Sequence, residues 1–425
     1  MASGHGNDVR DRAAKEAERV QEKLWSRNFV LAIGTNLFIY IVFYLLMTSL
    51  ALYAAQRFLA SDAGAGFASS AFIVGALISR FFAGPLIDNV GRRRVLLISL
   101  AAFVAVSLLY IPAGSITMLL ALRLAHGVAF GLANTAVTAG AQALIPPSRR
   151  SEGTGYFAVS TTLATAIGPL MAVLLVTDGN YDGVFLFCAV CSVAAMLVTL
   201  LLRLPEAPSA PAAVVNQRDA GGGPQKPERR PAALLSKVFE PRVLPITTVL
   251  LVAGLTYSGV LSFLASYADE AGAADAAALF FGVFAAAVLV SRLTAGRIQD
   301  RRGDNAVIYP AMALFAAGLA LLALVPAVWV VVASAVLSGL GFGTLLPGTQ
   351  AITVGLVPER RFGTALATYY LMLDIGTGLG PVLLGLLVPL TGFDGMYAWL
   401  GGLMVACIPL YYLVHGRAAR RVAVS

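Results

Sequence analysis

Two stretches of this chain use the same words 212 residues apart, and the words contain residues that apolar sequence has no reason to repeat. Ser79-Arg80-x3-Gly84-x3-Asp88-x2-Gly91 returns as Ser291-Arg292-x3-Gly296-x3-Asp300-x2-Gly303. The same offset carries Gly127-x2-Phe130-Gly131 onto Gly339-x2-Phe342-Gly343, and Gly168-Pro169 onto Gly380-Pro381. Three pairs in one register make the chain a duplication. A duplicated unit folds as two similar bodies, and sites in such proteins form where the two bodies meet.

The unit that is duplicated belongs in lipid. Apolar residues make up 58% of the chain and charged residues 12%, against roughly 25% charged in soluble proteins. At 425 residues, with about 20 residues per crossing, the chain holds about a dozen spans and short loops. The apolar runs predict spans at 29–56, 66–88, 94–112, 116–144, 151–176 and 183–203. The second half repeats them at 243–267, 275–298, 306–325, 327–356, 361–389 and 393–415. The expected fold is an all-α membrane protein with twelve transmembrane helices in two pseudo-symmetric six-helix bundles. Its segments are a tail at 1–28, a bundle at 29–203, a linker at 204–241, a second bundle at 242–415 and a tail at 416–425.

Charge placement orients those spans. Of the 30 Lys and Arg, 26 fall in the termini and in alternate loops, including Arg92, Arg93, Arg94, Arg149, Arg150, Arg360 and Arg361. The opposite loops hold Arg57 beside acids such as Asp178, Asp182, Asp269 and Glu270. The positive-inside bias then places both termini and the linker in the cytoplasm of a cell whose inner membrane the chain crosses. The net charge of +8 reflects this topology and attraction to anionic lipid head groups, not nucleic-acid binding.

Residues 1–27 are polar and charged without an early apolar core, so no cleavable signal peptide is expected. Residues 204–241, with Gly221-Gly222-Gly223-Pro224, break the apolar rhythm as a flexible linker does. Cys188 and Cys191 form a CxxC inside an apolar run, where free Cys behaves as a small packing hydrophobe. A zinc site needs further ligands, and none lie nearby in sequence. Neither a metal nor a cofactor is expected. No nucleophile triad or phosphate loop is visible, so the chain does not read as an enzyme.

The segment Gly84-Pro85-Leu86-Ile87-Asp88-Asn89-Val90-Gly91-Arg92-Arg93-Arg94-Val95-Leu96 resembles the signature between the second and third helices of the major facilitator superfamily, G-x-L-a-D-r-x-G-r-k-x-x-l. Asn89 stands where that family usually has a basic residue. Gly296 to Gly303 resembles its degenerate second-half copy. The resemblance covers essentially the whole chain and implies a transporter working by alternating access, with a small-molecule substrate, protons as coupling ion and a monomeric state. It implies that Asp88 with Arg92 latches the two halves on the cytoplasmic side. The residues alone also allow a plain helix cap. Arg80 and Arg292, about a turn from their loops, fit the same gate, as do Gly84, Gly91, Gly296, Asp300 and Gly303.

Three residues within the spans are candidates for coupling or substrate binding. Asp374 alone among the 22 acids lies deep inside a span, about 13 residues from either end of the eleventh. At about 1.5 Å per residue it sits near the bilayer midplane, with the burial that a reversible proton carrier requires. The other reading is an acid neutralised by an Arg or hydroxyl neighbour. Arg123-x2-His126-Gly127 resembles the family's R-x-x-q-G motif, with His126 replacing the common Gln. A buried Arg costs roughly 2.5–3.5 kcal/mol on insertion scales and must face a partner or a wet cavity. Arg cannot release its proton, so its role would be to tune a nearby acid or to hold substrate anions. His126 reads either as a titrating group or as a satisfied core histidine.

Gly168-Pro169 on the fifth span partly resembles the family's antiporter signature G-x3-G-P-x2-G-G, although Ala164 replaces the first Gly and no Gly pair follows. Gly376-x3-Gly380-Pro381 is its eleventh-span counterpart. Such residues permit bends and close helix packing. Candidate cavity-lining residues are Asn36, Tyr40 and Tyr44, spaced by four on one helix face, with Tyr257 and Ser258 on the seventh span. The expected function is proton-coupled efflux of a small molecule, a drug, metabolite or metallophore, since the chain most resembles bacterial proton-linked exporters, including opine-metallophore exporters. Uptake symport or facilitated diffusion is the opposing transport reading. A non-transporting membrane sensor is the reading from another class.

Overall fold

Lipid offers the backbone no hydrogen-bond partner, so a crossing segment must satisfy every N–H and C=O within itself, and the long apolar runs are helices for that reason. The computed structural model describes residues 23–60, 62–176, 179–206, 238–270, 274–324 and 328–419. The first half supplies α1 (Arg27–Phe58), α2 (Asp62–Val90), α3 (Arg92–Leu109), α4 (Ile116–Leu144), α5 (Arg150–Leu175) and α6 (Asp182–Leu201). The second supplies α7 (Leu244–Glu270), α8 (Ala274–Arg302), α9 (Asn305–Leu322) and α10 (Val328–Gly355). A last helical run, Phe362–Tyr411, is broken at Gly392, where φ is 68° and ψ 177°. The two pieces, 362–391 and 393–411, are α11 and α12. The three-residue loop expected between the last two spans is thus a one-residue break.

Ten helices among the described residues are long and apolar enough to cross a membrane. The break at Gly392 divides one of them, and α3 adds a further apolar helix that opens on Arg92-Arg93-Arg94. The protein is an all-α, multi-pass membrane fold of two pseudo-symmetric bundles. Helix ends carry local signals. Ser26 caps α1 through a 3.1 Å bond from Phe29 N, and Ser115 caps α4 from Met118 N at 3.2 Å. Gly91 and Gly303 end α2 and α8 with φ of 106° and 82°, angles at which a Cβ would clash with the backbone. The duplicated glycines therefore turn the chain through positive φ in both halves.

The surface is inverted relative to a soluble protein. Val173, Leu174, Leu197, Leu386 and Leu413 point outward, whereas Thr35, Asn36, Arg123, Thr135, Thr138 and Gln142 are buried. Cys188, Cys191 and Cys407 are free and buried. The two halves meet through α2 against α11 and α5 against α8. These are the helices that carry the duplicated words. The tails 1–22 and 420–425 and the middle of the linker, 207–237, lie outside the described residues. The linker's near edge is anchored: the Glu206 carboxylate accepts from Arg92 N and Arg93 N at 2.9 and 3.2 Å, capping α3. At its far edge Glu240 pairs with Arg361 at 2.7 Å.

Candidate functional site

At the Arg-rich face, the last turn of a helix in one half reaches the first turn of a helix in the other, twice. Asp88, near the end of α2, lays its carboxylate over the N-terminus of α11. It accepts from Gly363 N and Thr364 N, both at 2.9 Å, and from the Thr364 hydroxyl at 2.6 Å. Asp300, near the end of α8, does the same to α5, accepting from Ser151 N at 2.9 Å and Glu152 N at 2.8 Å. Open backbone donors and the helix dipole make each N-terminus a seat for an anion. Gly363 and Thr364 lie 212 residues after Ser151 and Glu152, so the two contacts are symmetry mates. Gly84 and Gly296 allow them. A Cβ on Gly84 would sit 2.6 Å from Thr364 Cα, and one on Gly296 would strike the Ser151 carbonyl.

Further ties surround these. Buried Arg92 pairs with Glu359 Oε1 at 2.7 Å, joining α3 to the loop before α11, and Glu152 is clamped by Arg149 at 2.7 Å and Arg297 at 2.6 Å. Asp88 and Arg92 therefore each bind the opposite half, but not one another.

One level deeper, the halves are joined by an ion pair. Arg80 Nε on α2 donates to Asp374 Oδ2 on α11 at 3.1 Å. The rest of the Arg80 guanidinium is fixed by its own half, through Gly131 O at 2.9 Å and Thr135 Oγ1 at 2.6 Å. It lies under the Tyr370 ring, 4.6 Å from the centroid, and Tyr370 itself bonds Thr138 on α4 at 3.2 Å. Arg80 is 3% exposed, whereas Asp374 is 21% exposed. The carboxyl is thus the accessible member of the pair. Arg292, the mate of Arg80, reaches from α8 to α5 and donates through Nη1 to Ala158 O and Thr162 Oγ1. Tyr44, Tyr40, Tyr257 and Tyr369 lie within electrostatic reach of it. Tyr257 stacks on Phe342 at 3.9 Å, and Tyr40 accepts from Asn134 at 3.2 Å.

A family model for the Major Facilitator Superfamily matches residues 32–328 and 273–423, which together span both halves. The chain belongs to the major facilitator superfamily. Its two-bundle helix packing is that of the superfamily fold. An MFS-type transporter of Pseudomonas aeruginosa is 31% identical over 170 residues, 39% of this chain and 42% of that protein. The match thus spans under half the length of that relative. The staphylopine export protein of Staphylococcus aureus is 24% identical over 353 residues, 82% of this chain and 86% of the other. The crystal structure of the human organic anion transporter MFSD10 shares the fold, with TM-score 0.73 at 18% identity over 90% of this chain and 98% of that one.

The remaining candidates sit elsewhere in this superfamily fold. Arg123 is fully buried, donating to Ala68 O at 2.8 Å and to Met47 Sδ at 3.5 Å beneath the Phe72 ring, contacts that all lie in the first half. His126 is enclosed by Ser107 at 3.3 Å, Tyr110 at 3.2 Å and the Phe103 ring, also within the first half. Asn36 ties α1 to α5 through Ser160 at 2.8 Å. Gly168 packs on Tyr44 of α1, Gly376 on Leu251 of α7 and Gly380 on Ser258 of α7. Pro169 and Pro381 lie inside helices α5 and α11. Thr138, Thr162, Thr364, Tyr370, Ser151 and Glu359 complete the interface and were not singled out by sequence. Position relative to the duplicated words would have found Thr162, Ser151 and Thr364, because each is an offset partner of another site residue or its neighbour.

Proposed function

We propose that this chain is a proton-coupled exporter of a small molecule in the cell inner membrane. On the positive-inside bias the Arg-rich face is cytoplasmic, which puts both termini and the linker 204–241 inside. The closed latches then lie on the cytoplasmic side, and the described conformation faces outward. The two halves, 29–203 and 242–415, act as rocking bodies in one monomer.

The observation that carries the coupling is the Arg80–Asp374 pair. It is an ionic tie between the halves one level deeper than the latches, and its carboxyl is the more exposed member. A proton delivered to Asp374 removes the charge that Arg80 holds, and the tie between the halves weakens. Protonation and opening of the cytoplasmic side are thereby linked, since whatever binds one state better shifts the population toward it. Arg123 and His126 act one layer back. Arg123 fastens α4 to the outer part of α2 at Ala68, the helix that presents Arg80. Export rather than uptake is supported by the extended match to the staphylopine export protein.

The test uses everted membrane vesicles with an imposed pH gradient, screened against toxic metabolites, drugs and metal chelates. Wild type is expected to release the gradient on addition of a substrate, and folded, inserted Asp374→Asn to give no response. Flux that still follows the gradient in Asp374→Asn refutes the coupling role, and accumulation only in right-side-out vesicles refutes export.

A further inference from the structure

The two arginines at the centre are symmetry mates, but their partners are not alike. Arg80 and Arg292 stand 212 residues apart, and so do Thr162 and Asp374. The structure pairs them across the pseudo-twofold: Arg80 with Asp374, Arg292 with Thr162. One contact thus ends in a carboxylate and its copy ends in a hydroxyl. No described carboxylate pairs with Arg292, and its buried Nε donates to no acceptor among the described residues. The residue is 9% exposed. Of the three central charges, two are positive and one negative, so the Arg292 charge stands uncompensated.

A buried guanidinium without an anion is costly, because low dielectric magnifies the loss of its hydration. The phenols of Tyr44 and Tyr257 lie within electrostatic reach of it and would offer hydroxyl donors and flat apolar faces, the lining typical of small-molecule sites. We infer that Arg292 is an anion-binding subsite at the interface between the halves and that the transported molecule is an organic carboxylate whose head group takes the place that Asp374 takes at Arg80. Resting on the reading of this chain as an exporter whose path runs between the halves, the inference adds the substrate's class. The guanidinium fork suits a carboxylate bidentately, and with Nη1 fixed by Ala158 and Thr162 the buried Nε is the donor left without an acceptor among the described residues. An aromatic or apolar body on the ligand would lie against the two tyrosines.

Pseudo-symmetry supplies the test. Thr162→Asp places a carboxylate where the second copy carries one and should occupy Arg292 from within. The purified full chain in lipid nanodiscs would be titrated with benzoate, indole-3-acetate and glutarate, each beside its neutral amide, and binding read by thermal stabilisation and calorimetry. Wild type is expected to prefer carboxylate over amide in at least one pair. Arg292→Gln is expected to weaken that carboxylate at least roughly 30-fold, the loss typical of truncating a buried hydrogen-bonded charge pair. Thr162→Asp is expected to abolish the preference while melting at or above the wild-type temperature. Equal response to all acids and amides in wild type overturns the inference, as does an undiminished preference in folded Arg292→Gln. Carboxylate binding without any flux in vesicles would leave the anion site in place and remove the transport reading instead.

Discussion

The paired helix-end latches make a quantitative statement about conformational balance. In Asp88→Asn the side chain keeps one acceptor oxygen and gains an NH2 that faces donors. The native carboxylate accepts from Gly363 N, Thr364 N and the Thr364 hydroxyl at 2.9, 2.9 and 2.6 Å, so at least one donor loses its acceptor. A hydrogen bond to a charged group contributes about 1.5–3 kcal/mol, and the anion at the helix N-terminus adds about 0.3–1 kcal/mol. The expected cost to the closed state is about 2–4 kcal/mol, or roughly 30- to 700-fold in the closed-to-open ratio. Asp300→Asn should act alike, because Ser151 N and Glu152 N sit on Asp300 at 2.9 and 2.8 Å. The two latches share no residue, so the double variant costs about 4–8 kcal/mol, more than the few kcal/mol that separate functional conformers. Spin labels at exposed Asn89→Cys and Arg360→Cys on opposite halves, with the buried native cysteines unreactive, would report the distance distribution in nanodiscs. The single variants should show a growing long-distance population and the double variant a dominant one. An unchanged distribution in the double variant refutes the latch, leaving both aspartates as turn residues.

Gly84→Ala puts a methyl 2.6 Å from the Thr364 backbone. It is expected to hold the cytoplasmic side ajar in the same spin-label assay with the bundles still folded, and closure as in wild type would show that the helices slide past freely. Arg123→Ala removes the donor to Ala68 O and the contact under Phe72, and should cost about 1–3 kcal/mol of stability, read by thermal melting. Flux matching wild type at every external pH would make Arg123 purely structural. At the α8–α9 turn, burial pushes the Asp304 carboxyl up, but hydrogen bonds from His415 and Gln299 and the charge of His415 outweigh it and hold the group below the ordinary range. A depressed folded pKa stabilises above the unfolded value of about 3.9 and is lost as pH falls through the folded one. Wild type should therefore melt above Asp304→Asn at neutral pH, with the gap closing below about pH 4. A gap independent of pH would exclude the ionised carboxylate as its source.

Much of the fold was legible because lipid imposes a simple rule: length of apolar run reads as helix, and basic loops read as one face. The 212-residue repeat announced two similar bodies. Asp374 stood out for the same reason, as a carboxyl where carboxyls are expensive. Partners were another matter. Asp88 was read with Arg92, its neighbour in sequence, yet it binds Gly363 and Thr364 across the interface. The sequence places Arg80 at the cytoplasmic gate and leaves Asp374 either a proton carrier or an acid with an Arg or hydroxyl neighbour; only the structure shows that its neighbour is Arg80 itself. His126 and Arg123 share one motif and are candidates for coupling or substrate binding on sequence, but their contacts lie inside one half. Which residues of two bundles face each other depends on how the bundles are rotated and how closely they approach. That is set by small side chains and backbone contact at Gly84 and Gly296, and no periodicity within one helix encodes it. Sequence by itself determined the repeated units and the rare charges. Only tertiary structure decided that one arginine of the symmetric pair meets a carboxylate and the other a hydroxyl, because that difference exists only across the interface.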